Sequence, residues 1–366
     1  MSSSTAVTSR LTSGQAPKWL VPAIGLGAVV LGAALSALIG FSIGTWAIFA
    51  GLLFVIVAPL VVSMIEGRRK GADSFVRFLV YGAFIVALIP LVSVIWVVLS
   101  KGIPGLSMNL LSTSMRGVTG VHDNAAAEGA GPIYGGIYHA IIGTLEITLL
   151  ATLISVPIGL LTSIYLVEYA KNGPLGKAIT FFVDVMTGIP SIVAGLFAAS
   201  FFALTTGDPS ERTGLVAAVA LSVLMIPTVV RNAEEMLRIV PNELREASYA
   251  LGVRKWRTIV KVVIPTAISG IASGVTLAIA RVIGETAPIL VTAGFVTSIN
   301  WNAFSGWMAT LPTYIYYQIM TPTSPTAASI SETRAWAAAL VLIIIVMLLN
   351  LIARAIAKFF APKTGR

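Results

Sequence analysis

The sequence has no cysteine and only two histidines in 366 residues. The first absence excludes a disulfide framework, thiolate metal ligation and a thiol nucleophile. His122 and His139 are too few and too isolated for a His-based metal site, and each reads as a loop or interface residue. Charge is scarce too. Asp, Glu, Lys and Arg make up 11% of the chain, against roughly 25% in soluble domains, so little of it is solvated surface. The few carboxylates are scattered, which sets aside an intramembrane enzyme needing a cluster of catalytic groups. There is no G-x4-G-K-[ST] phosphate loop, so the chain cannot hydrolyse ATP unaided. No cofactor and no metal are expected.

What is abundant is apolar. Hydrophobic residues make up 57% of the chain, and the mean hydropathy is +0.92. The expected fold class is an all-α polytopic membrane protein. Eight apolar stretches, at about 20–40, 45–65, 78–99, 138–167, 179–205, 214–236, 267–293 and 335–357, are each long enough to cross ~30 Å of hydrocarbon at 1.5 Å per residue. The first lacks a compact basic lead and a clear cleavage site, so it reads as a span and not a signal peptide. The expected organisation is a Ser/Thr-rich disordered tail over 1–19, an accessory transmembrane hairpin over 20–65, a basic linker over 66–77 (EGRRKGADSFVR), a six-span core over 78–360 and a short tail over 361–366.

The loops orient the chain. With the N-terminus inside, the cytoplasmic side receives Arg68, Arg69, Lys70, Arg77, Lys177, Arg238, Arg245, Arg254, Lys255, Arg257 and Lys261, with Lys171 and the basic residues of both tails. The outside receives Lys101, Arg116, Arg212 and Arg334. That asymmetry predicts cytoplasmic termini. The net charge of +9 thus serves topology, with lipid and not nucleic acid as the partner. The outer loop 294–334 holds Trp301, Trp307, Tyr314, Tyr316 and Tyr317, either an interfacial belt or, with 100–137, a docking face for an extracytoplasmic protein.

One polar stretch interrupts the core: Pro241–Pro265, PNELREASYALGVRKWRTIVKVVIP. Pro241-Asn242 starts a helix, and Glu243 suits its first turn. Leu244, Ala247, Ser248 and Leu251 follow helical spacing, and Gly252 fits the position just past the end. A short helix on a tight corner is a stiff knob that a second protein can push.

Glu246-Ala247-Ser248, three residues, Gly252, nine residues, Val262, one residue, Ile264-Pro265 resembles the EAA loop of ABC importer permeases, E-A-A-x3-G-x9-I-x-L-P. Ser248, Val262 and Ile264 are conservative departures. Gly188–Gly195 (GIPSIVAG), Ile226–Arg231 (IPTVVR) and Ala280–Pro288 (ARVIGETAP) resemble the phosphate-specific permeases of the PstA type. The resemblance covers about 78–360. It implies a type I ABC importer transmembrane domain, partnered by a second, PstC-like permease, two PstB-like ATP-binding subunits and an extracytoplasmic PstS-like phosphate-binding protein. It implies further that the ATPase subunits grip Glu246, Ala247, Leu251 and Gly252.

Arg281 and Glu285 are expected within one apolar span, four residues apart on one face. A charge at mid-bilayer costs ~3 kcal/mol, so it points into a cavity or finds a partner. The readings are a structural ion pair or a translocation path, in which Arg281 attracts an anion and Glu285 limits how tightly it is held. Arg231, near the inner end of its span, either anchors topology or lines the exit. Ser191, beside the helix-breaking Pro190, is a weaker pathway candidate. Glu146 and Asp184 are expected to hydrogen-bond neighbouring helices, and Gly270-x3-Gly274 suggests close helix packing. The alternatives are a type I permease for sulfate, molybdate or an organic solute, and a secondary carrier, which would show inverted repeats.

Overall fold

A computed structural model describes residues 16–170 and 173–360; most of the expected N-terminal tail, the 361–366 tail and Lys171 lie outside the described residues. Among them every regular element is helical, as lipid demands of any open segment whose backbone groups must be satisfied within itself. In chain order the helices are α1 Leu20–Leu38, α2 Ile43–Glu66, α3 Arg68–Gly105, α4 Met108–Ser112, α5 Gly120–Ala127, α6 Tyr138–Ile164, α7 Pro174–Thr187, α8 Ser191–Thr206, α9 Gly214–Ile239, α10 Asn242–Ala250, α11 Lys255–Thr258, α12 Ile264–Val282, α13 Ala287–Thr292, α14 Leu311–Met320 and α15 Ala328–Phe360. A π-helical turn, Tyr165–Tyr169, ends α6, and a second, Ile259–Val263, joins α11 to α12.

Among the described residues seven helices are long and apolar enough to cross a membrane: α1, α2, α3, Tyr138–Tyr169, α9, Lys255–Val282 and Pro325–Ala355. The single span expected over 179–205 is not one helix. α7 and α8 meet at 109° across Gly188-Ile189-Pro190, because proline lacks the N–H that would continue the ladder and pushes the residue before it out of helical geometry. The span expected over 267–293 likewise stops at Val282, and four non-helical residues separate it from α13.

The chain divides into two compact units, the first ending at Trp96 and the second beginning at Val97. In the first, α1 and α2 form a hairpin. Ser42 caps α2 by accepting from the Thr45 N–H at 3.1 Å, and Gly32 lies so close to the Ala50 backbone that a methyl group would not fit. The expected linker over 66–77 is almost wholly helical. Only Gly67, at φ 95°, breaks the path between α2 and α3, a left-handed conformation easy for glycine. Gly71 rests on Ser63 and Phe78 on Phe54 at 4.9 Å, which draws the start of α3 into this unit.

In the second unit α9 is the central helix. Two-thirds of its apolar window is buried (67%), and α6, α8, α12 and α13 pack around it. The contacts are made by small residues, as expected where lipid supplies no hydrophobic drive between helices. Gly159 of α6 meets Val229, Gly270 and Gly274 of α12 meet Met236 and Asn232, and Gly195 of α8 meets Pro288 of α13. At the end of the bundle away from α10, the segments around α4, α5 and α14 close over α15 through a second core that includes Leu110, Ile137, Leu311, Tyr314 and Ala337. Tyr314 and Leu311 are therefore core residues, whereas Trp301, Trp307 and Tyr316 are exposed. His139 is also a core residue, buried at the start of α6 and edge-on to Tyr314 at 5.6 Å.

Candidate functional site

The two helix breaks meet at mid-bundle. Ile189 and Ala194, which flank Ser191, pack in one cluster with Ala278, Val282 and Ile289, which bracket Arg281 and Glu285. Ser191 is the first residue of α8; the Val193 and Ala194 N–H groups turn back to the Pro190 carbonyl at 2.9 and 3.3 Å, which leaves those of Ser191 and Ile192 without helical partners. Arg281 lies in the last turn of α12. Its Nη1 donates to Thr228 Oγ1 at 3.4 Å, and Thr228 is near the middle of the 26-residue α9. The guanidinium is otherwise exposed on the surface of the chain. Glu285 is not on the same helical face. It lies beyond the end of α12, where its N–H donates to the Val282 carbonyl at 3.1 Å, and no ion pair joins the two side chains among the described residues. The break in the helix removes the i,i+4 relation the spacing suggested.

Arg231 stands apart from this group. One turn after Thr228 along α9, its guanidinium pairs with Asp184 of α7 and, at 2.9 Å, with Glu234. Glu234 also takes Arg238 at 2.6 Å. These side chains line a cavity of 440 Å³ with Lys177 and Thr180 on α7. Asp184 thus has a charged partner. Among the described residues Glu146 has none, and its Oε2 is buried without a hydrogen bond in a recess facing Trp301, Asn302 and Phe304.

The third feature is α10. Pro241 sits in extended geometry (ψ 139°) and Glu243 in the first turn, where a carboxylate meets the positive end of the helix dipole. Gly252 adopts φ 73°, and its N–H donates to the Tyr249 carbonyl at 2.9 Å, closing the helix on a left-handed residue. Glu246, Ala247, Leu251 and Gly252 all face outward, and Leu251 is 83% exposed. Exposed Leu244, Tyr249 and Trp256 extend the apolar area. Among the described residues burial pushes the Tyr249 hydroxyl above its ordinary range, with the Glu168 carboxylate adding to the shift. The opposite face is fixed. Arg245 reaches Glu168 at 2.9 Å, and Ser248 Oγ meets Thr258 Oγ1 at 2.8 Å.

Residues 155–366 match the profile of the family described as binding-protein-dependent transport system inner membrane component. This chain belongs to that family. The permease is 46% identical over 311 residues to the phosphate transport system permease protein PstA 1 of Mycobacterium tuberculosis (strain ATCC 25618 / H37Rv), covering 85% of this chain and 95% of that one. It is 36% identical over 273 residues to the phosphate transport system permease protein PstA of Yersinia pestis, covering 74% and 84%. Among solved structures, a chain of the MetNI methionine ABC transporter in an inward-facing conformation is similar at 22% identity, with 62% of the permease and 94% of that chain covered and a TM-score of 0.47.

Sequence reasoning about the permease missed three groups. Thr228 was visible only as part of a motif, and nothing in one sequence tells that α9 brings it to Arg281. Arg245 and Glu168 are 77 positions apart, and Arg245 read as one more basic loop residue. Asp123 and Arg334 read as charges of two outer loops. They form a buried pair, 0% and 1% exposed, doubly hydrogen-bonded at 2.8 and 2.5 Å.

Proposed function

We propose that this chain is the PstA-type permease subunit of an ATP-driven importer that carries inorganic phosphate across the bacterial cell membrane. The observation that carries the reading is Arg281: a guanidinium at mid-bundle depth whose one hydrogen bond among the described residues is a long one to a neutral hydroxyl. A cation costs ~3 kcal/mol at the centre of a bilayer, and its planar fork of donors suits a phosphate oxygen pair. The names and high identity of the relatives support the substrate class.

In this reading the path runs where the two broken helices meet, between this chain and a PstC-like permease that covers the exposed face of Arg281. Ser191 and the free N–H groups at the start of α8 add neutral donors. Glu285 keeps the hold weak enough for release. Arg231, held by Asp184 and Glu234, belongs to the cytoplasmic exit. The loop charges put both termini and α10 in the cytoplasm. There the outward face of α10, with Glu246, Ala247, Leu251 and Gly252, receives two PstB-like subunits that hydrolyse ATP. A PstS-like binding protein delivers phosphate at the other end.

The deciding experiment is anion uptake by vesicles holding the reconstituted complex. ATP-dependent uptake of phosphate, unaffected by excess sulfate or molybdate, is the expected result. Uptake of sulfate or molybdate in its place would move the chain to another substrate. Uptake independent of ATP would make it a secondary carrier.

A further inference from the structure

The structure contains two π-helical turns among the described residues, Tyr165–Tyr169 and Ile259–Val263; the second packs against α10 and the first is bonded to it through Arg245. Such turns are rare and concentrate where a helix serves function. Glu168 lies in the first, with its side chain 5% exposed. Arg245 of α10 donates to Glu168 Oε1 from Nε at 3.0 Å. The same guanidinium donates to the Val240 carbonyl at 2.6 Å and to the Leu237 carbonyl at 2.9 Å, which are among the last carbonyls of α9 and lack helical partners. Lys255, just beyond Gly252, donates from Nζ to the Glu168 backbone carbonyl and stands 4.5 Å over the Tyr169 ring. On the other side Ser248 meets Thr258, the residue immediately before the second π-turn.

One residue therefore gathers both sides of the α10 corner onto the tail of α6, its carboxylate taking Arg245 and its backbone carbonyl taking Lys255. The outward residues of α10 make none of these bonds. We propose that Glu168 is a positioning residue of the transport cycle: it passes displacement of α10 to α6, giving the motion a direct side-chain route beside the chain connections into α9 and α12. The proposal rests on α10 being the segment that the ATPase subunits move. It uses the geometry as follows. A push on α10 reaches α12 through covalent continuity and the Ser248–Thr258 pair. It reaches α6 directly through Arg245 and Lys255, beside the indirect course through the chain connection into α9, on which α6 packs. α6 packs along α9, with Gly159 against Val229, one residue from Thr228, which holds Arg281. A buried, multiply hydrogen-bonded ion pair moves as a unit, since parting it strands both charges.

The test uses the complete complex in vesicles, with ATP hydrolysis, phosphate uptake and retention of the ATPase subunit measured together. Glu168→Gln is expected to keep the ATPase subunit and its hydrolysis within about twofold, while phosphate moved per ATP falls about tenfold, the loss of one charge-assisted contact. Arg245→Gln should behave alike, and the double variant should be no worse than either single one, because both act through one pair. Arg245→Lys, which keeps the charge but not the fork, should lower the ratio by a smaller factor. A wild-type ratio in Glu168→Gln, additive losses in the double variant, or loss of the ATPase subunit would overturn the proposal. Should Glu168→Gln not assemble, a wild-type ratio in Arg245→Lys does the same. Leu251→Asp, on the outward face, separates the underlying reading: it should release the ATPase subunit. If the subunit and normal coupling both survive in that variant, α10 is not the docking segment, whatever Glu168 does.

Discussion

Arg334 and Arg281 both sit in long apolar helices, and they are treated in opposite ways. Arg334 is 1% exposed and spends its donors on Asp123, on the Tyr134 carbonyl at 2.9 Å and on Gln318 at 3.3 Å. It ties α5, α14 and α15 into one assembly. Among the described residues Arg281 makes one side-chain hydrogen bond, at 3.4 Å, to an uncharged partner. The difference lies in what is left over. A guanidinium surrounded by acceptors has no capacity for a ligand and contributes to architecture. One kept at mid-bundle with most of its donors idle still has that capacity to give.

The contrast breaks most readily at Arg334. Arg334→Gln strands Asp123 in a dry core and should cost about 3–5 kcal/mol, read as lost yield and a lower melting temperature of the purified complex. If that variant assembles and melts like wild type, the two arginines do not differ as described. Next comes Arg281→Gln. Uptake should fall about a hundredfold, the equivalent of one contact of 2–3 kcal/mol, with the melting temperature unchanged. Normal uptake removes Arg281 from the path, whereas loss of assembly makes it architectural after all. Gly195→Val leaves every charge in place but forces α8 away from Pro288, and overpacking of about 1–3 kcal/mol should lower both stability and uptake. The smallest effect belongs to Arg77, whose pair with Asp73 at 2.6 Å is exposed on both sides. Arg77→Gln should change stability by about 0.2–1 kcal/mol at most and leave uptake as it is, measured in the same vesicles.

Much of this was legible in the chain. Of the eight apolar runs, seven coincide with helices that are long and apolar enough to cross a membrane among the described residues, because hydrocarbon thickness fixes how many residues are needed. Gly252 announced its own left-handed corner, since local geometry depends on a few adjacent residues. Pro190 announced a break but not its 109° angle, which is set by packing of α7 and α8 on α9. What stayed hidden were the pairings across long separations, such as Arg245 with Glu168, Arg334 with Asp123 and Arg231 with Asp184. In a single sequence a charge shows its sign and its neighbours along the chain, and it does not show which helix will lie against it. Arg281 and Glu285 erred in the other direction. Four-residue spacing suggested a face-sharing pair, and Gly284 and Pro288 ended the helix between them.

The elbow at Gly188–Pro190 has a further consequence for the life of the chain before assembly. α8 has 16 residues, about 24 Å of helix at 1.5 Å per residue, too short to cross the hydrocarbon alone. Its first N–H groups and the open guanidinium of Arg281 would confront acyl chains in a solitary copy, at several kcal/mol together. An orphaned subunit is therefore expected to be conspicuous to the membrane's proteases and short-lived. Matched stoichiometry with its partners would then follow from degradation of the excess, with no need for equal synthesis.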